Sequence, residues 1–287
     1  MPISVVIPAY NEEAGIAHTI DRLRHTLAQS TIKDWEIVVV DDGSSDGTGR
    51  VAEAAGVRVI RHLERLGYGR ALKEGIAAAK HDNVAIADAD GTYPIAALPV
   101  LFAKYQEGYH MVVGQRFGPE YRESMLKSPL RALLKWLVEF TAGRKIPDVN
   151  SGFRIFDRRE AMQYFPRLCN TFSFTTSLTL AYLTHGRFIA YVPIDYAKRI
   201  GKSKVMLFRD TLRTIQYIVQ AILYFNPIKI FIVLSGCALL FSGAGVALAA
   251  LSGWSHPFWI GVAGVLVAFV LFGLGLVADL LRQIMLK

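Results

Sequence analysis

Val84-Ala85-Ile86-Ala87-Asp88-Ala89-Asp90-Gly91-Thr92-Tyr93-Pro94 passes within a few residues from a wholly apolar run to a pair of carboxylates one residue apart, then to a glycine and a proline. A short apolar run bounded by turn residues is the signature of a buried strand. Two further runs end the same way. Ser4-Val5-Val6-Ile7 leads into Pro8-Ala9-Tyr10-Asn11-Glu12, and Glu36-Ile37-Val38-Val39-Val40 into Asp41-Asp42-Gly43-Ser44-Ser45-Asp46-Gly47. In open α/β sheets the chemistry gathers at the carboxyl ends of strands, so these three polar ends are expected to share one edge.

Working outward, strands are expected at 4–7, 36–40, 57–60, 84–87 and 111–114, alternating with helices at 12–29, 46–55, 67–80 and 95–107. This alternation predicts an α/β fold with a mainly parallel sheet covered by helices. Ser128-Pro129 is a helix start, a capping hydroxyl before proline at the first helical position. Beyond it, strands are expected at 152–156 and 188–192 and a helix at 172–184. Over 205–225, Arg209, Arg213, Gln216 and Gln220 form one polar stripe opposite Phe208, Leu212, Ile215, Val219 and Ile222, the pattern of an interfacial amphipathic helix.

Residues 230–278 contain no Asp, Glu, Lys or Arg, and they lift the mean hydropathy of the 287-residue chain to +0.31. Ser252-Gly253-Trp254-Ser255-His256-Pro257 divides this tract into 230–251 and 258–278. Each part is close to the roughly 20 residues that cross a bilayer. Lys229 precedes the first span and Arg282 and Lys287 follow the second, while the connecting loop has no Lys or Arg; the positive-inside rule therefore predicts a hairpin with both ends in the cytosol. Small-residue pairs Gly243/Ala247 and Gly245/Ala249 suit close helix packing, within the hairpin or between copies in a homo-oligomer. The expected organisation is a cytosolic domain over 1–204, an interfacial helix over 205–226 and a membrane hairpin over 227–287.

The N-terminus has neither a basic region nor an apolar stretch long enough for a secretory signal, and the two cysteines, Cys169 and Cys237, exclude a disulfide framework. Both features fit a reducing compartment. Lys and Arg outnumber Asp and Glu by 32 to 24, a formal charge of +8 that suits an anionic partner. No nucleic-acid recognition motif accompanies it, so a phosphorylated substrate or an acidic membrane surface is expected instead. His18, His25 and His62 have no partner spacing and are expected to be solvated; Arg144, Lys145, Arg158 and Arg159 are read as surface charge or headgroup contacts.

Asp88 and Asp90 can share a hard cation with substrate phosphates, the usual arrangement for Mg²⁺ or Mn²⁺ on a nucleoside diphosphate. Asp41 and Asp42 offer carboxylates to a base or ribose. Taken together, the three polar strand ends resemble glycosyltransferase family 2, whose members have the GT-A fold. Gly114-Gln115-Arg116, Asp148-Val149-Asn150-Ser151-Gly152-Phe153-Arg154 and Arg199-Ile200-Gly201-Lys202-Ser203-Lys204 are similar to the dolichol-phosphate mannose synthase and bacterial polyprenyl-phosphate glycosyltransferase branch.

The resemblance implies an inverting transfer from a UDP- or GDP-linked sugar to polyprenyl phosphate. It places Pro8, Tyr10, Glu12, Asp41, Asp42, Asp88, Ala89 and Asp90 at the nucleotide sugar, with Asp88 and Asp90 on the metal, and Arg116, Arg131, Arg199 and Lys204 on the acceptor phosphate or departing diphosphate; Asp90, Arg116, Arg131 and Arg199 are the implied catalytic groups. Two departures stand out. Thr92 occupies a position where relatives often carry a Gln metal ligand, so weak or water-mediated coordination is expected there. Phe174-Thr175-Thr176-Ser177-Leu178 lacks the carboxylate that could serve as a base in many relatives. A sugar hydroxyl needs that base and an anionic phosphate does not, which favours the lipid phosphate. The alternatives are a polysaccharide or glycolipid synthase with a sugar acceptor, and a non-catalytic membrane scaffold. The first lacks a Q-x-x-R-W motif and has few spans, and the intact acidic motifs oppose the second.

Overall fold

The computed structural model describes residues 1–118, 129–171, 173–197, 216, 219–220 and 222–285, with backbone alone at 129–131, 133–134 and 285. The chain forms two compact units, Met1–Ile218 and Val219–Lys287.

The first unit is built on a seven-stranded sheet: β1 (Ile3–Ala9), β2 (Trp35–Asp41), β3 (Arg58–Arg61), β4 (Asn83–Ile86), β5 (Met111–Phe117), β6 (Arg154–Asp157) and β7 (Ile189–Asp195), in the order β3-β2-β1-β4-β6-β5-β7. All neighbours are parallel except at β6, which runs against both β4 and β5. Every residue of β1 is buried, as expected of a central strand with both faces covered. Ile3, Val5, Ile7 and Ala9 join the cluster formed by Ile16, Ile20, Leu23 and Leu27 of helix α1 (Glu13–Gln29) and by Leu98, Leu101 and Phe102 of helix α4 (Leu98–Gln106). The spacing 16, 20, 23, 27 is one helical face, so α1 turns a single apolar stripe to the sheet. Helices α2 (Thr48–Ala54) and α3 (Tyr68–Ala78) complete the first half, with α3 packed on β1 and β2.

Helices α5 (Pro129–Ala142), α6 (Arg158–Gln163) and α7 (Phe174–Thr184) follow. The expected α/β alternation is thus present as a mixed sheet, the GT-A-like arrangement. The order reverses at β1, whose β2 and β4 neighbours continue in opposite directions. The ends of β1, β2 and β4 therefore open a crevice at the switch point.

The second unit contains α8 (Pro227–Ser252) and α9 (Ser255–Met285), with mean hydropathies of 2.2 and 2.7 in their most apolar windows, each long and apolar enough to cross a membrane. They are antiparallel partners. Ser242 donates its hydroxyl to the Gly261 carbonyl, and Gly245 lies so close to α9 that a β-carbon there would stand 2.9 Å from the Pro257 carbonyl oxygen. Gly243, in contrast, has nothing within 4 Å of that position, so only one of the two small-residue pairs has its glycine against the other helix. Most of the expected amphipathic helix, including Arg209 and Arg213, lies outside the described residues.

Candidate active site

Pro8 is buried at the end of β1, and the chain beyond it is fastened to the end of β2. Asn11 has φ +53°, the single positive value outside glycine among the described residues. Its amide donates to Ser44 Oγ at 2.9 Å, and its side-chain carbonyl accepts from the Ser45 amide at 2.7 Å and hydroxyl at 3.2 Å. Asp41 Oδ1 accepts from the Ser44 amide, and the Glu12 amide donates to Thr48 Oγ1. These bonds lock the loops after β1 and β2 to each other and bring Tyr10, Glu12 and Asp41 to one edge. The Tyr10 ring is covered by the Arg65 guanidinium, 4.2 Å from its centroid.

Asp42 is engaged within the protein on both oxygens. Oδ1 accepts from the Leu66 amide at 2.9 Å and meets His62 Nδ1 at 2.8 Å; Oδ2 accepts from the Gly67 amide at 2.9 Å. His62 is therefore not solvated as expected: its side chain is 5% exposed, and its other ring nitrogen contacts Glu74 Oε2 at 2.8 Å. His18 and His25 do lie on the surface.

At the end of β4, Asp88 Oδ1 accepts from the Tyr68 hydroxyl at 2.9 Å. Burial first, and the Asp88 charge second, push the Tyr68 phenol well above its ordinary pKa, so it is fixed as a donor to that carboxylate. Asp90 Oδ1 accepts from the Thr92 amide at 3.1 Å and hydroxyl at 2.6 Å. Thr92 thus orients Asp90 with the hydroxyl that the sequence offered as a weak ligand. Ala89 between the two carboxylates is buried, and its carbonyl accepts from Thr19. Gly152 approaches from the loop before β6, where a β-carbon would stand 2.9 and 3.0 Å from the Asp88 oxygens. No cluster of three or more His, Cys, Asp or Glu suited to a metal occurs among the described residues. Two carboxylates held by hydroxyls, with oxygen donors alone, fit a hard cation whose remaining ligands are substrate oxygens and water.

Near the end of β5, Arg116 donates from Nε and Nη2 to Asp148 at 2.8 and 2.9 Å and covers the Tyr196 ring. Asp148 is 1% exposed. Burial raises its pKa, but the Arg116 hydrogen bonds and charge, with the Asn150 and Arg116 amides, outweigh it and hold the carboxyl below its ordinary value. Arg116 therefore arrives already paired. Asn150 accepts from Thr175 Oγ1 at 2.7 Å and Thr176 Oγ1 at 3.3 Å, joining this loop to the first turn of α7. Arg154 is fully buried without a carboxylate contact among the described residues. Its guanidinium donates to the carbonyls of Ser151 and Thr175 and to Thr179 Oγ1. Position 131 lies in the first turn of α5, with its side chain outside the described residues, as are Arg199 and Lys204.

Sequence reasoning missed the roles of His62 and Tyr68 and the burial of Arg154. The partners of His62 and Tyr68 lie 12 to 20 residues away on other elements, beyond any local spacing signal. Asp148 and Arg154 were visible only as members of a motif.

Known proteins resemble this chain in sequence and in fold. Residues 4–165 match the profile described as glycosyl transferase family 2. The chain is 32% identical over 208 residues to a dolichyl-phosphate hexose transferase of Haloferax volcanii, covering 71% of this chain and 86% of that protein. It is 27% identical to an undecaprenyl-phosphate 4-deoxy-4-formamido-L-arabinose transferase of Klebsiella pneumoniae, covering 98% of this chain and 88% of the relative. Among solved structures, glucosyl-3-phosphoglycerate synthase from Mycobacterium tuberculosis, in complex with Mn²⁺, UDP and glucosyl-3-phosphoglycerate, superposes with a TM-score of 0.63 at 25% identity, over 77% of this chain and 79% of that one. The same synthase has been crystallised with Mg²⁺ and UDP. With its acidic strand ends on a mixed α/β sheet and the profile match spanning more than half its length, the chain belongs to glycosyl transferase family 2.

Proposed function

We propose that this glycosyltransferase moves a sugar from a UDP- or GDP-linked donor to the phosphate of a polyprenyl lipid, with Mg²⁺ or Mn²⁺ held by Asp88 and Asp90. The observation that carries the acceptor assignment is the first turn of α7. Thr175, Thr176 and Ser177 stand there, buried, and their hydroxyls bond to Asn150 and to the helix backbone. This turn carries no carboxylate to take a proton, which favours a nucleophile that arrives as an anion, as a lipid phosphate does. The names of the Haloferax and Klebsiella relatives point the same way.

Tyr10, Glu12 and Asp41 line the nucleotide end, where the locked β1 and β2 loops give a preformed edge. Asp42 serves that end by shaping the neighbouring loop. A phosphate oxygen attacks the anomeric carbon as its bond to the diphosphate breaks on the opposite face, so the configuration inverts and negative charge collects on the departing nucleotide. When bound, the cation neutralises part of that charge. Arg131, Arg199 and Lys204 hold the acceptor phosphate; Arg116, neutralised by Asp148, orients the β5 edge beside it. Catalytic unit and chain ends face the cytosol, with Ser255 on the far side, on the positive-inside asymmetry.

The deciding experiment incubates the purified full chain, in detergent with added lipid, with UDP- and GDP-sugars, undecaprenyl or dolichyl phosphate, and Mg²⁺ or Mn²⁺. Glycolipid formed with stoichiometric nucleotide release is the expected result. Transfer to a sugar acceptor in place of the lipid phosphate, or no transfer with any donor, would overturn the reading. Labelling of a single cysteine at 255, in a background lacking Cys169 and Cys237, tests the orientation in sealed vesicles.

A further inference from the structure

We infer that His62 is a positioning residue for the nucleotide end of the site: clamped between Asp42 and Glu74, it fixes the loop at 62–67 and thereby sets Arg65 against Tyr10. The inference rests on the proposed reading of Tyr10 and Asp41 as nucleotide-binding groups.

Apart from the close packing of the Glu64 and Arg65 backbone on Gly43, the loop has little apolar contact to hold it. Leu63, Glu64, Arg65 and Leu66 are all exposed, and Leu63 projects fully into solvent. Such a segment contributes almost no buried apolar area and would open easily. Its two ends, however, meet on one carboxylate. Asp42 accepts the Leu66 and Gly67 amides at the far end and the His62 ring at the near end, while the His62 amide donates to the Asp41 carbonyl at 2.9 Å. The loop is closed into a ring around Asp42, and Arg65, between the clamps, lies over the Tyr10 ring.

The charged groups facing the imidazole are Asp42 from the end of β2 and Glu74 from α3, the latter also paired with Arg70. Both ring nitrogens face a carboxylate oxygen, so only the protonated ring satisfies both contacts as donor. In the neutral ring one nitrogen becomes an acceptor opposed to a carboxylate lone pair, and that side of the clamp is lost. Burial lowers the imidazole pKa, but the hydrogen bonds and charges of Asp42 and Glu74 exceed it and raise it above the ordinary 6.5. The clamp is therefore complete at and below that ordinary value and loosens as pH rises through the raised one.

The test is isothermal titration of the full chain in detergent with UDP and with GDP, Mg²⁺ present, from about pH 6 to about pH 9. For the wild type, affinity for the nucleotide it binds should fall about tenfold across this range, the equivalent of one lost charge-assisted contact. His62→Gln, which keeps a donor and an acceptor but gains no proton, should bind at every pH as the wild type does at the alkaline end. Glu74→Gln should move the fall to lower pH. In turnover the His62→Gln defect should appear in donor KM with kcat little changed. Identical pH slopes in wild type and His62→Gln would overturn the inference while leaving the nucleotide reading intact, as would an unshifted slope in Glu74→Gln. Should His62→Gln fail to fold, the wild-type slope and its displacement in Glu74→Gln decide. Failure of the wild type to bind either nucleotide at any pH would overturn the nucleotide reading and this inference together.

Discussion

The ends of β2 and β4 carry the same kind of sequence, a pair of aspartates and a glycine after an apolar run, yet Asp42 is held differently from Asp88 and Asp90. Asp42 accepts two backbone amides and a histidine and so builds the loop around it. Asp88 and Asp90 are steadied by the hydroxyls of Tyr68 and Thr92 and by one local amide. Asp42, anchored to distant backbone, builds the loop around it; Asp88 and Asp90, oriented by side-chain hydroxyls, are the pair that the proposed function assigns to the cation. The difference teaches that acidic motifs are told apart by who donates to them, which is a tertiary property.

Four substitutions sharpen this contrast. Asp90→Ala should have the largest effect, lowering kcat on the order of 10²–10³-fold with thermal unfolding little changed, because the proposed function places this carboxylate on the cation beside the departing diphosphate. Asp42→Ala should do the opposite. Losing two amide contacts and leaving His62 beside Glu74 alone should lower stability by about 3 kcal/mol, seen in urea unfolding of the detergent-solubilised chain. A stable but inactive Asp42→Ala, or an unfolded Asp90→Ala, would break the comparison.

Asp148→Asn tests a third carboxylate that pairs with an arginine side chain. It should lose about 2 kcal/mol, since the amide retains an acceptor for Arg116 but not the charge. The Asp148 carboxyl lies below its ordinary 3.8, so its contribution is full above that value and disappears as pH falls through the depressed one. The stability gap between wild type and Asp148→Asn should therefore be constant near neutrality and close only in strong acid. Tyr68→Phe should be the mildest change, raising the metal concentration for half-maximal activity about tenfold through loss of the hydroxyl that orients Asp88. An unchanged metal requirement would show that the hydroxyl does not tune this carboxylate.

Much of this was legible in the sequence because burial on both faces leaves an apolar run that ends abruptly, as in β1, β2 and β4. Strand direction was not legible. Nothing in Arg154-Ile155-Phe156-Asp157 distinguishes an antiparallel strand from a parallel one, since both alternate side chains alike. Asp46 explains a smaller shift: its carboxylate accepts from the Thr48 amide and hydroxyl, so α2 begins at Thr48, two residues after the sequence start signal. The acidic edge could be read from composition at the strand ends. The His62 clamp could not, because it joins three elements that only the fold brings together.

The reversed strand also bears on how the chain comes into being. β6 stands between β4 and β5, and the other neighbour of β5 is β7. During synthesis from the N-terminus, β1 to β4 can pair as they emerge, but β5 has no sheet neighbour until residues 154–157 have been made. Met111, Val112 and Val113, buried in the finished sheet, must wait through that interval as an unpaired apolar strand. Chains arrested before residue 154 should accordingly be cut by protease near β5 while β1 to β4 resist. The reversed strand β6 is thus the first sheet partner that the nascent β5 acquires, before β7 closes the edge.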